Sequence, residues 1–286
     1  MVALFQAAYG NGRRRGLQVA EHEGLGELFT SSQGHDCDNH GDMLWEKTWR
    51  PDLVLLLAGG VVLSFFLGNL GAELLGHFGV AGFRSPESAG RVLVATLSFH
   101  GAVIMAAIVF LKEHNIRWRD ALGLRDDSWK LQLLLAVTML AAVLPVVAGL
   151  HYLSVTLLQK MHWTVEDQSA VQMFSGLKAG WLRAYFCFFT VVLAPVGEEL
   201  AFRGFLFSAA KKGGMRGVGY FGVSLIFAFI HFSPPIFLSL FVLAVVLTWL
   251  YEKTGGLFAP IVAHSLFNAL NLGLLLLDQH SSHARP

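Results

Sequence analysis

Two adjacent carboxylates, Glu198 and Glu199, lie in an apolar run from Ala184 to Ala210 whose only other charge is Arg203. Ionised groups in such surroundings are costly and mark functional positions by default. On a helix Glu199 and Arg203 are four apart, share a face and can pair. Glu198 is turned by about 100° from Glu199 and cannot easily share that bridge. One carboxylate therefore has a structural partner close at hand. The other, Glu198, is left for chemistry.

Two further pairs follow: Phe227 with His231, and His264 with Asn268, each four apart and so on one helix face. Counted from the presumed cytoplasmic ends of the segments, Glu198 lies 13 positions before Lys211, His231 15 after Arg216, and His264 11 after Lys253. At 1.5 Å per residue these are depths of roughly 16 to 23 Å, close enough for one cavity. A desolvated glutamate can take a proton from water, with a histidine to share or orient it. His264 and Asn268 can both donate hydrogen bonds to a carbonyl oxygen as it becomes anionic. No activated Ser or Cys accompanies them, so direct attack of water on an amide fits better than a covalent intermediate. Cys187, 11 residues before Glu198, is about 16 Å away along a helix and a poor nucleophile.

Taken singly, these residues have plainer explanations. Glu199 and Arg203 read as a supporting pair, Phe227 as cavity wall, a lone His231 as a hydrogen-bonded core residue, and Asn268 with Asn271 as interhelical glue. The functional reading rests on the set. His100, Asn69 and Glu73 read as packing or interface residues, since nothing in the sequence pairs them with it. Zinc is the chemical rival, because Glu198, His231 and His264 could supply its three protein ligands. The chain has no His-Glu-x-x-His helix motif.

The elements that must position this set are membrane helices. Of 286 residues, 54% are hydrophobic and 14% charged, against about 25% charged in soluble domains. Seven apolar stretches, 53–75, 92–111, 131–158, 184–210, 217–233, 236–252 and 256–277, each approach the ~20 residues that cross a bilayer. Pro145 should kink the third, and Ser233-Pro234-Pro235 makes a tight reversal after the fifth. Residues 1–50 read as a polar, poorly ordered cytoplasmic arm without a signal-peptide core, and residues 51–286 as the membrane domain. The arm's His35-Asp36-Cys37-Asp38-Asn39-His40 cluster has no metal-site spacing, and two cysteines make no disulfide framework. With the N-terminus inside, 15 of the 21 Lys and Arg face the cytoplasm, which predicts an outside C-terminus unless an eighth or re-entrant segment intervenes. The expected fold is all-α, a polytopic bundle of seven or eight transmembrane helices around an intramembrane catalytic cavity.

The run Glu198-Glu199-x-x-x-Arg203, then Phe227-x-x-x-His231, then His264-x-x-x-Asn268 resembles the three ordered motifs of the CPBP family. These membrane proteases include CAAX prenyl endopeptidases and bacteriocin-processing or immunity proteins. The flanking Gly197 and Gly204, Thr254-Gly255-Gly256, and Ala259-Pro260-Ile261 before His264 resemble that family too, and the likeness spans residues 181–272. The resemblance implies a metal-independent glutamate peptidase without cofactor. In it Glu198 and His231 activate water, His264 and Asn268 form the oxyanion hole, and Glu199, Arg203 and Phe227 support the site. The prenyl proteases have eight helices where seven are counted here.

The expected partners are a peptide or protein substrate, lipidated or not, and membrane lipid, with no nucleic acid; the expected location is the inner cell membrane. Two other functions use the same cavity. A non-catalytic immunity or scaffold protein would bind a peptide there, and a transporter would use Glu198 as a proton carrier. Intact Glu198, His231, His264 and Asn268 favour hydrolysis over the first, and the lack of a detectable internal repeat argues against the second.

Overall fold

The computed structural model describes residues 51–85, 88–124, 128–163, 165 and 169–283. The N-terminal arm, with its His35–His40 cluster and Cys37, lies outside the described residues, as do Arg125 and Arg285. Within them all regular structure is helical. In chain order the helices are α1 (Pro51–His77), α2 (Ala89–Glu113), the short α3 (Trp118–Ala121), α4 (Ser128–Lys160), α5 (Ser169–Gly176), α6 (Gly180–Lys212), α7 (Arg216–Phe229), α8 (Phe237–Thr254) and α9 (Phe258–His283).

Six of these, α1, α2, α4, α6, α9, and α8 with the 3-10 turn Pro234–Ile236 before it, are long and apolar enough to cross a membrane. The remaining apolar stretch, the fifth, is shorter than the sequence suggests. α7 has 14 residues, about 21 Å of rise against a hydrocarbon core of about 30 Å. It stops because the chain turns at Ile230 and His231 and Phe232 takes a left-handed φ of 46° ahead of the Ser233-Pro234-Pro235 reversal. His231 therefore sits just beyond a helix end, not inside a helix. Pro145 lies within α4, which continues past it to Lys160.

The main core is built where α2, α4, α6, α7, α8 and α9 meet, with Val103, Leu140, Phe207, Phe227, Leu247 and Leu257 among its buried members. The long apolar faces that point away from it, Phe66 and Leu134 for example, are exposed, as expected of helices whose solvent is lipid. Two polar clusters mark opposite ends of the bundle. At one, Lys211 and Arg216 both bind Glu252, at 3.0 and 2.7 Å. At the other, Arg183 near the start of α6 bonds Gln279 near the end of α9.

The first end is locked by a backbone contact. The turn after α8 crosses the turn after α3, and Phe258 and Leu257 donate their N–H groups to the carbonyls of Leu122 and Ala121. A Cβ on Gly256 would collide with the Cα of Gly123, whose own φ is +70°. Two glycines are thus required where these two turns touch, and this contact sets where α9, with His264 and Asn268, begins. Gly256→Ala should lower thermal stability in detergent by the roughly 1–3 kcal/mol of a forced backbone shift. Gly149→Ala, where nothing lies within 4 Å, should not. Equal melting temperatures for the two variants would disprove the lock.

Candidate active site

α6 is not a uniform α-helix. It runs as α from Gly180 to Phe188, as π from Phe189 to Leu193, as α from Ala194 to Glu199, as π from Leu200 to Phe207, and again as α from Ser208 to Lys212. The first π segment has a cause in the sequence. Pro195 carries no N–H, so it can bond neither the carbonyl four residues back nor, in π register, that of Thr190 five back. The orphaned Thr190 carbonyl takes its hydrogen bond from Asn268 Nδ2 of α9, at 2.9 Å. Asn268 therefore ties α9 to the irregular stretch just before the two glutamates, and one of its two amide protons remains for other use.

Glu199 and Arg203 are fully buried and paired, with Nη1 donating to Oε1 at 2.8 Å. Arg203 also donates from Nη2 to the Ala244 carbonyl at 2.9 Å and from Nε to Thr248 Oγ1 at 3.4 Å, so it fastens α6 to α8. His264 joins the same carboxylate oxygen through Nδ1, at 2.9 Å. Because Glu199 can only accept while ionised, that contact places a proton on His264 Nδ1 and turns Nε2 toward Glu198. The Nε2 to Glu198 Oε2 distance is 3.7 Å, beyond a direct hydrogen bond.

Glu198 is thus the freer carboxylate. Its side chain is 14% exposed against none for Glu199, while an Oε2 without a hydrogen-bond partner is common to both. His264, His231 and His100 all lie close enough to act on it electrostatically. Phe227, without exposed surface, is the ring on which these groups are arranged: its centroid is 4.9 Å from His231, 5.7 Å from His264, 5.1 Å from Phe202 and 5.0 Å from the Arg203 guanidinium. His231 Nδ1 is held by the Phe227 carbonyl at 2.7 Å, so the four-residue spacing aims the ring although the helix has ended.

The structure therefore brings Glu198, Glu199, Arg203, Phe227, His231 and His264 into one cluster, with Asn268 beside it on the Thr190 carbonyl. It also adds a residue that reads as packing in the sequence. His100 of α2 places Nε2 3.4 Å from Glu198 Oε1. A signal existed, because His100 is the only ionisable side chain in the run from Val92 to Leu111. Its partner, 98 positions away, could not be read from spacing. Among the described residues no three His, Cys, Asp or Glu side chains are arranged to hold a metal ion.

Removing the guanidinium would leave Glu199 charged and buried. Arg203→Ala should cost roughly 3–5 kcal/mol of stability and lower the yield of folded protein. Arg203→Lys should recover little, since one ammonium cannot reproduce a planar fork that reaches Glu199, Ala244 and Thr248 together. Melting curves in detergent decide this, and an Arg203→Ala protein as stable as wild type would remove the structural role.

Searches of the curated proteins and of the solved structures give no match. Residues 179–270 do match a family model, described as Type II CAAX prenyl endopeptidase Rce1-like, and they contain every motif residue from Glu198 to Asn268. The segment that carries the site is thus similar to the Rce1-like type II CAAX prenyl endopeptidases.

Proposed function

We propose that the protein is an intramembrane endopeptidase that hydrolyses a peptide bond with water activated by Glu198. The observation that carries this reading is the division of labour between adjacent carboxylates. Each keeps an Oε2 without a hydrogen-bond partner, but Glu199 is fully buried with Oε1 held by both Arg203 and His264, whereas Glu198 is 14% exposed among three imidazoles and meets His100 only at 3.4 Å. The family match at 179–270 supports a protease as the class.

In the proposed reaction Glu198 Oε2 removes a proton from water as the oxygen attacks the peptide carbonyl. The carbonyl oxygen gains the negative charge, and the donors available for it are the second amide proton of Asn268 and Nε2 of His264 when that atom is protonated. Collapse of the tetrahedral species breaks the C–N bond, and Glu198 returns its proton to the leaving amine. His231, aimed by the Phe227 carbonyl, helps hold the attacking water. No metal is needed, since the charge that develops has hydrogen-bond donors at hand. The substrate is a peptide or protein segment that reaches the site from the membrane, lipidated or not. The Lys211–Arg216–Glu252 end is assigned to the cytoplasm, with the N-terminus on that side, and the membrane to the inner cell membrane.

Glu198→Gln, nearly isosteric, should leave the melting temperature unchanged and reduce cleavage of a peptide library by about 10²- to 10⁴-fold, the usual worth of a general base. Retention of more than about a tenth of wild-type turnover would assign the base elsewhere. A second measurement addresses zinc. Exhaustive chelation should leave cleavage intact, and purified protein should contain no stoichiometric metal; recovery of a chelated, inactive sample on adding zinc would replace the glutamate mechanism with a metal one.

A further inference from the structure

We propose that His100 is the positioning residue for Glu198: its Nε2–H donates to Oε1 and so turns Oε2 toward the water. This rests on the reading of Glu198 as the base. The ring is fixed before it meets the carboxylate. Nδ1 lies 3.0 Å from the Thr96 carbonyl one turn back, and the edges of Phe99 and Phe189 close on the ring at 5.0 and 4.8 Å. Thr96 is itself held, with its hydroxyl 2.7 Å from that of Tyr185 in α6. The approach also depends on a missing side chain. A Cβ on Gly197, the residue before Glu198, would lie 3.0 Å from His100 Cδ2. Glycine at that point lets an imidazole lie against α6 directly beside the glutamate.

Proton counting gives the state of the pair. A carbonyl only accepts, so Nδ1 of His100 carries a proton. Nε2 faces a carboxylate oxygen at 3.4 Å, the long end of a hydrogen bond, and needs a second proton to bond it. His100 is then an imidazolium and Glu198 a carboxylate. The charges of the cluster agree. Glu198 and Glu199 contribute two negatives and Arg203 one positive, so a charged His100 yields two neutralised pairs in place of an uncompensated buried anion. The competing imidazoles suit this role less. His264 Nε2 stands 3.7 Å from Oε2, and His231 is anchored through Phe227. Oε2 is left as the oxygen without a partner, the one able to receive the proton of water and return it to the leaving amine. His100 keeps both ring protons throughout.

Two measurements test the assignment, and only one requires turnover. In protein labelled with ¹⁵N-histidine, with His100 assigned through the His100→Gln variant, the ring should show both nitrogens protonated at neutral pH in wild type. It should revert to a single proton in Glu198→Gln. A singly protonated His100 in wild type, or a doubly protonated ring belonging to His264 instead, would overturn the pairing whether or not any peptide is cut. In turnover, His100→Leu should lower kcat by about 10²-fold, the usual cost of a misplaced reacting group, with KM within twofold. His100→Gln, which retains an amide donor, should recover at least tenfold of that loss. Equal kcat for the Leu and Gln variants would reduce His100 to packing. A wild-type protein that cleaves nothing would sink the hydrolase reading, and the ring protons would still decide the pairing.

Discussion

Arg203 and Glu199 sit without exposed surface in the middle of a bundle of apolar helices, where neither could stay charged alone. Each carries more than the other's charge. Arg203 spends its remaining donors on Ala244 and Thr248, which sets the register of α6 against α8. The accepting oxygen of Glu199 also holds His264, which sets the rotation of α9. Three helices are thus aligned by one carboxylate oxygen and one guanidinium. Glu198 can be left underbonded because its neighbour takes up the structural demand. The same frame extends downward through Ser208, whose hydroxyl bonds the Arg203 carbonyl and meets that of Tyr251 at 2.8 Å.

Much of this could be read from the chain because helical spacing is short-range geometry. Charges four apart predicted the Glu199–Arg203 pair. The four-residue step from Phe227 to His231 predicted a shared face, and apolar run lengths predicted seven membrane-length stretches, of which six are long helices. What escaped depended on contacts between distant segments or on backbone detail. His100 looked like packing because α2 and α6 are adjacent only in three dimensions. The shortness of α7 followed from the left-handed Phe232, which no propensity assigns to a phenylalanine. In the sequence Asn268 reads as an oxyanion donor, with interhelical bonding as the plainer alternative. The structure shows one of its protons on the Thr190 carbonyl and leaves the other open.

The π segments belong to the same logic. A proline two residues ahead of Gly197 disrupts the ladder where α6 must admit foreign side chains: Asn268 at Thr190 and the His100 ring at Gly197. A regular α-helix would keep its carbonyls for itself and, with any residue but glycine, hold its neighbours at a side chain's distance. Irregular backbone is tolerated at membrane depth where it is buried in protein and its polar groups find partners elsewhere.

The length of α7 has a consequence for the surrounding lipid. Val218, Phe221, Leu225 and Phe229 are exposed along it, yet the helix spans only about 21 Å. A bilayer meeting a wall some 9 Å shorter than its hydrocarbon thickness thins locally, at a modest cost per ångström of mismatch. That dip falls at the end of α7, where the chain turns at His231. Headgroups and their water are drawn inward there, so water and polar groups have a shorter apolar barrier to cross than along the longer helices.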